Sequence, residues 1–178
     1  MRNVKAALAF VVLLGGLVLG SSVALAQTTP TGGAVQVLGI PNNNGGGHVV
    51  LTGAVGDYGS SASVNKSGQT DQKGNYKLLK LQKGSILINV NQLNTALNNN
   101  NAPPTTWNNS TCSGTFVVTA PVPVVSGTKL YTGVTGSVNI TVQFSFVLPL
   151  TKGKCNQNAN PTSGGQSGVI MGTGTVSF

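Results

Sequence analysis

A segment in the last third of the chain constrains the fold more than any other part of the sequence. It reads SVNITVQFSFVL from Ser137 to Leu148. Apolar side chains at every second position alternate with mostly polar ones between them. This is the period of a β-strand with one buried face. The segment therefore predicts a long, half-buried strand and further strands to pair with it.

Shorter strand-like segments recur through the chain, and helix signals are scarce. Strands are predicted over 35–38, 49–55, 60–65, 75–82, 86–90, 115–125 and 168–178, and one helical turn over 90–97. About eight strands with short turns indicate a barrel or a sandwich, and consecutive hairpins favour the barrel. The predicted fold is all-β, a single eight-stranded antiparallel up-and-down β-barrel, because closure leaves no unpaired sheet edge.

Three local features predict irregularities within these strands. The pair Pro121 and Pro123 predicts a break in the strand over 115–125, because proline belongs at an edge or a bend. The adjacent apolar residues Leu78 and Leu79 predict a bulge. The bare positions at Gly172 and Gly174 predict either a tight barrel corner or another backbone packed close to the last strand.

Residues 1–26 have the features of a secretory signal peptide. Arg2 and Lys5 precede an apolar run over 6–19, and Ala24-Leu25-Ala26 gives the small-x-small pattern of a cleavage site. Cleavage after Ala26 leaves one domain over 27–178, secreted to the extracellular space or the periplasm. A membrane anchor is the alternative, but the run is short for a span that needs about 20 apolar residues.

Cys112 follows the end of the long polar loop over 98–110, and Cys155 follows the start of a second polar loop over 151–166. In an exported protein such a pair predicts one disulfide that ties the loops together. The alternative, a free catalytic thiol, needs a cation to lower its pKa. His48 is the chain's single histidine.

The charge balance bears on partners and cofactors. Residues 27–178 hold eight lysines, two aspartates and no arginine, and five of the lysines fall within 66–83. Nucleic-acid readers use arginine and stacking aromatics. We therefore predict no nucleic-acid partner and a solvated lysine-rich hairpin, with weak binding to anionic surface polymers as the alternative. One histidine and two scattered aspartates predict no metal site, and no cofactor is expected.

Few residues offer catalytic chemistry. Asp57 lies in the turn sequence GDYG at 56–59, where aspartate commonly bonds its own backbone. Alternatively, it points into the barrel mouth and polarises a ligand. Asp57, Tyr58 and Tyr131 are the catalytic candidates, and Asp57, Tyr131 and Trp107 are the ligand-binding candidates. Tyr131 is expected to pack across a barrel end and bond a backbone group, while Trp107 either caps a cavity or anchors its loop.

Several segments resemble the small exported barrels related to allene oxide cyclase and dirigent proteins. They are LTGAVGDYGSSASV, GNYKLLKLQKGSILINV, GTKLYTGVTGSVNITV and GTGTVSF. The most telling is the Gly127-Thr128 pair followed by Tyr131, Gly133 and Gly136, directly before the long strand. The resemblance covers about 49–178 and implies an eight-stranded antiparallel barrel with an apolar cavity, often a homotrimer. Plant members of this superfamily cyclise an unsaturated epoxide or steer the radical coupling of phenols.

The sequence favours a binding protein over an enzyme. We expect a secreted soluble β-barrel that binds a small apolar or phenolic ligand, or that serves as a cell-surface or matrix component. The reason is a barrel pattern with very few acid–base groups. An isomerase, a cyclase or a dirigent-like coupling guide that uses Asp57 and a tyrosine is the alternative. A small outer-membrane barrel is a further alternative, against which the chain offers few aromatics for interfacial girdles.

Overall fold

The computed structural model describes residues 30–42, 46–98, 104–161 and 164–178. The predicted signal peptide, residues 1–26, lies outside these ranges. No helix in the described ranges is long and apolar enough to cross a membrane.

Strands dominate the described part of the chain, as the alternating patterns predict. In chain order they are β1 (Gly33–Pro41), β2 (Gly47–Gly53), β3 (Asp57–Val64), β4 (Tyr76–Leu81), β5 (Gly84–Asn89), β6 (Thr106–Asn108), β7 (Ser113–Lys129), β8 (Thr135–Val147), β9 (Leu150–Thr151), β10 (Lys154–Cys155) and β11 (Gln166–Ser177). The helix α1 (Asn91–Leu97) follows β5 and confirms the predicted helical turn.

Eight of these strands close into a barrel. Around it they run β1, β2, β3, β4, β5, β7, β8 and β11, and β11 pairs back onto β1. Every pairing is antiparallel. The short β6 extends the sheet beside β7, and β9 and β10 form a separate two-stranded ladder. The predicted eight-stranded antiparallel up-and-down barrel is confirmed.

The long alternating segment forms β8 and divides its two faces as predicted. Val138, Ile140 and Phe146 are buried, whereas Asn139 and Gln143 are exposed. The prediction of close packing at β11 is also confirmed. A Cβ at Gly172 would lie 2.5 Å from Cδ1 of Ile140, so glycine lets β11 approach the apolar face of β8.

The predicted break at Pro121 and Pro123 is wrong. Strand β7 continues through both prolines and pairs with β8 from Ser113 to Pro123, with Pro121 opposite Asn139 and Pro123 opposite Ser137. Among the described strands, β5 pairs with β7 only from Val124 onward. The prolines therefore lie where the other edge of β7 has no strand to bond, so the missing N–H groups remove no ladder hydrogen bond.

The predicted bulge at Leu78–Leu79 is also wrong. Strand β4 pairs in unbroken register with both β3 and β5. The irregularity lies instead between Leu87 and Ile88, where β5 meets β7. The pleat of β4 turns Leu79 into the barrel and Leu78 to its outer side, which determines where the neighbouring lysines point.

A small second core lies beside the barrel and contains the predicted disulfide. Cys112 and Cys155 are bonded, with Cα atoms 5.3 Å apart. Cys112, Phe146 and Leu148 are buried there, and Trp107 packs on Phe146 with ring centroids 6.1 Å apart. The predicted pairing is confirmed, and such a bond is typical of proteins from oxidising compartments.

Removal of the disulfide should destabilise the fold. The bond joins residues 43 positions apart, and the chain-entropy model gives a loop of that length roughly 3–4 kcal/mol of stabilisation. We expect the double variant Cys112→Ala/Cys155→Ala to lose about that much free energy of unfolding in urea titrations. Reduced wild-type protein is the matched control and should unfold at about the same urea concentration as the double variant. Equal stability of the oxidised wild type and the double variant would contradict the prediction.

Candidate functional site

The two ends of the barrel are built differently. At one end, which we call the turn end, lie the β2–β3, β4–β5 and β7–β8 connections, together with the last residue, Phe178. At the other, the helix end, lie the β1–β2 and β3–β4 connections and α1. Polar candidates from the sequence gather at the turn end, and a cavity opens at the helix end.

The turn end is organised around the carboxylate of Asp57, the first residue of β3. One oxygen, Oδ1, accepts a hydrogen bond of 2.7 Å from the backbone N–H of Tyr58. The other, Oδ2, accepts 3.0 Å from the backbone N–H of Lys83 and 2.6 Å from the hydroxyl of Tyr131. Asp57 thus bonds a neighbouring backbone group, as its turn interpretation predicts, and also two groups from other hairpins.

This cluster is sealed from solvent. Tyr131 is fully buried and Asp57 is 6% exposed, and the ring of Phe178 packs on Tyr131 with centroids 6.1 Å apart. The prediction that Tyr131 packs across a barrel end is confirmed. Its hydroxyl, however, bonds a carboxylate and not the expected backbone group, because Asp57 sits directly across the end of the barrel.

The hydrogen bonds decide the protonation states of this pair. Burial acts to raise the pKa of Asp57, but the bonds from Tyr131 and from the backbone N–H groups of Lys83 and Tyr58, with the N–H of Gln82 nearby, together lower it below its ordinary value. Burial, the hydrogen bond to Asp57 and the negative charge of Asp57 raise the pKa of Tyr131. The pair is therefore a carboxylate and a neutral phenol, a stable arrangement with little tendency to exchange protons near neutral pH.

A cavity of about 260 Å³ runs from the helix end through the barrel interior, as far as Val55 in the β2–β3 connection at the turn end. Its wall is made of aliphatic side chains from most of the barrel strands and from α1. They include Val37, Val49, Leu79, Ile86, Ile88, Leu93, Val122, Val124, Ile140, Val142 and Ile170. The cavity reaches the surface near Asn42, Gly46 and α1, and its polar lining residues are Asn42, His48, Ser61, Lys77 and Asn94. Such a space is complementary to a small apolar molecule that keeps a polar atom at the mouth.

Lys77 is a cavity residue that its charge alone does not predict. The prediction of a solvated face for the lysines over 66–83 is wrong at this position, because Lys77 lines the cavity and its Nζ donates a 2.6 Å hydrogen bond to Oγ of buried Ser63. Burial lowers the pKa of Lys77. The alternation of β4 does predict an inward position for Lys77, because Lys77 lies two residues before Leu79 and four before Leu81, which both point inward.

The sequence candidates do not line this cavity. Asp57 and Tyr131 are enclosed at the turn end, and Tyr58 lies on the outer surface with 60% of its area exposed. Trp107 belongs to the second core, where its Nε1 donates 2.6 Å to Oδ1 of Asn109, so it anchors its loop. Catalytic or ligand-binding roles for these four residues stay predictions. No three or more potential ligands gather into a metal site within the described ranges.

The fold and the cavity define the protein as a disulfide-bonded β-barrel with an apolar interior site. No protein-family model matches the chain, and neither a curated protein nor a solved structure matches it. The functional argument therefore depends on the site itself.

The bond between Asp57 and Tyr131 should be energetically coupled. Tyr131→Phe removes one hydrogen bond to a charged group and should lower the free energy of unfolding by about 1–3 kcal/mol. Asp57→Asn should lower the free energy of unfolding by about 2–4 kcal/mol. The amide oxygen of asparagine cannot accept all three hydrogen bonds, and its NH₂ group would face a donor instead of an acceptor. The double variant should lose clearly less than the sum of the two, as measured by urea unfolding. Additive losses would show that the two residues stabilise the fold independently.

Asp57 should also make the protein sensitive to acid. Its pKa is lower in the folded chain than the ordinary value of 3.8, so the unfolded chain binds the proton first. The stabilisation is fully present above that ordinary value and is lost as the pH falls through the lower, folded-state pKa. In urea unfolding at a series of pH values down to about 2, the free energy of unfolding of the wild type should fall toward that of Asp57→Asn as the pH is lowered. Asp71→Asn is the control, and a constant gap between the wild type and Asp57→Asn would refute the assignment.

Proposed function

We propose that this protein is a secreted binding barrel for a small apolar or phenolic molecule, which it holds in the cavity at the helix end. The observation that carries the proposal is the cavity itself, an aliphatic space inside a closed barrel with polar groups at its mouth. Apolar surface in such a wall favours an apolar occupant, since its transfer from water is favourable at roughly 25 cal/mol per Å² buried.

The polar groups at the mouth suit a hydroxyl-bearing ligand. Ser61, Asn42, Asn94 and Lys77 are among the polar residues that line the cavity. They offer both donors and acceptors, so a phenol could keep its ring among the aliphatic residues and its hydroxyl hydrogen-bonded.

Binding is favoured over catalysis by the state of the strongest acid–base pair. Asp57 and Tyr131 are saturated with hydrogen bonds to each other and to backbone N–H groups, at the end of the barrel away from the mouth. A general acid or base needs a proton within reach of the substrate. That arrangement supports a structural role for the pair.

Secretion and kinship are parts of the same proposal. The signal-like residues 1–26 and the Cys112–Cys155 disulfide support export. The eight-stranded antiparallel topology supports the resemblance to the allene oxide cyclase and dirigent barrels. A homo-oligomer, and weak binding of anionic polymers by the outward lysines of 66–83, stay predictions.

Filling the cavity should abolish ligand binding without unfolding the barrel. Val142 lines the cavity, whereas Gln143, next to it on β8, is exposed on the outer face. With 2-naphthol as a small phenolic probe, Val142→Phe should weaken binding by about tenfold or more, which corresponds to about 1.4 kcal/mol of lost contact. Fluorescence titration measures the dissociation constant, and Gln143→Phe is the matched control.

The outcomes separate the site from the rest of the surface. Binding by the wild type and Gln143→Phe but not by Val142→Phe places the probe in the cavity. Equal binding by all three folded proteins, or none by the wild type, would contradict the proposed function. Native mass spectrometry of protein purified without denaturant would add the identity of any small molecule that the protein retains.

A further inference from the structure

Lys77 differs from the other lysines in its surroundings. It is the only lysine among the described residues that line the cavity. By contrast, Lys80 lies on the same strand with the opposite parity and is exposed. Lys77 therefore forms part of the cavity wall, with its Nζ bonded to Ser63 beside it, while the side chain of Lys80 is presented to solvent.

Two features of the site favour the neutral, nucleophilic form of the Lys77 amine. Burial penalises the ammonium ion and lowers the pKa of Lys77. The hydroxyl of Ser63 lies 2.6 Å from Nζ and can both accept and donate a hydrogen bond, so it can hold the neutral amine as well as the charged one. Lysines that are desolvated in apolar pockets are the ones that form Schiff bases with carbonyl compounds.

We propose that Lys77 binds small apolar aldehydes covalently and reversibly, as an imine formed inside the cavity. The inference rests on the proposed function, since it requires the cavity to admit a small apolar molecule. It adds the chemical class of the ligand and the atom to which the ligand bonds.

The reaction needs no oxidant, reductant or metal. The nitrogen lone pair of Lys77 attacks the carbonyl carbon, and the carbonyl π electrons move to oxygen, which gives a carbinolamine after a proton passes from nitrogen to oxygen. The nitrogen lone pair then forms the C=N bond as the C–O bond breaks, and the oxygen leaves as water with a second proton. The resulting iminium ion and the imine interconvert by loss of the remaining nitrogen proton. Ser63, which touches Nζ, is placed to pass these protons.

The apolar wall makes this site selective. The aliphatic lining holds the alkyl chain of the aldehyde beside Nζ, which raises the local concentration of carbonyl groups at the amine. It also limits the water that reverses the reaction. An exposed lysine such as Lys80 offers neither advantage, and a small hydrophilic aldehyde should show little preference between the two.

Reductive trapping tests the inference directly. The folded protein is incubated with heptanal and sodium cyanoborohydride, which reduces an imine to a stable alkylamine, and peptide mapping by mass spectrometry locates the added heptyl groups. Heptyl should accumulate on Lys77 at least about tenfold faster than on Lys80, because of the proximity that the cavity supplies. Excess 2-naphthol should slow the labelling of Lys77 but not that of Lys80.

Matched variants exclude labelling from solvent. Lys77→Arg keeps a cation but should remove the fast-labelled site, and Lys80→Arg should leave the labelling of Lys77 unchanged. Val142→Phe should reduce the labelling of Lys77 to the rate at Lys80. Ser63→Ala should slow trapping at Lys77 while a thermal melt shows a folded protein.

The result that overturns the inference is distinct from the result that overturns the proposed function. If 2-naphthol binds in the cavity but heptanal labels Lys77 and Lys80 equally, the barrel binds small molecules and the imine is refuted. Fast labelling of Lys77 that 2-naphthol does not slow would also refute it, because the amine would be reacting outside the cavity. If neither 2-naphthol nor heptanal enters the cavity, both the proposed function and the inference fail.

Discussion

The carboxylate of Asp57 is the interaction on which the turn end of the barrel depends. Its three hydrogen bonds connect the start of β3, the β4–β5 turn and the β7–β8 turn. These three connections are distant in sequence and would otherwise meet only through side-chain packing. A buried charge with a full set of donors stabilises one arrangement and makes the alternatives costly, since any shift leaves the carboxylate unsatisfied. With that end fixed and filled by the ring of Tyr131, the described opening of the interior lies at the helix end.

The pleat then determines which side chains meet inside the barrel. Once Leu79 and Leu81 of β4 point inward, Lys77 must do the same, because a one-residue shift would expose both leucines. The lysine is tolerated because it lies near the mouth and because Ser63 on β3, directly opposite it in the register, accepts its hydrogen bond. The same parity that builds the core therefore places one lysine in the wall of a mostly aliphatic cavity, and the lowered pKa of Lys77 follows from its burial there.

The existence of the strands could be predicted from the sequence, because period-two alternation and turn residues are local signals. The disulfide could be predicted from the presence of two cysteines in a chain whose first residues predict export. Three other features depend on which strands and residues lie side by side in the folded barrel, and local sequence patterns do not show this. The prolines of β7 are tolerated because β5 ends short of them. Adjacent leucines in β4 need no bulge because the outer one is half-buried. Tyr131 finds Asp57 across 74 positions of chain, a pairing that only closure of the barrel creates.

The hydrogen-bonded Asp57–Tyr131 cluster and the mouth of the cavity lie at opposite ends of this barrel, and that separation has a physical cause. A charged, fully bonded cluster needs exclusion of water and rigid turns, whereas a ligand site needs an opening and unfilled volume. An eight-stranded barrel has an interior just wide enough for side chains to fill it, so small residues help to leave it open. At the mouth these are Gly39, Gly47 and Ser61, in contrast to the tyrosine ring at the turn end. Changes in the size of the mouth residues can therefore alter what the cavity admits while the hydrogen bonds of Asp57 at the turn end stay intact.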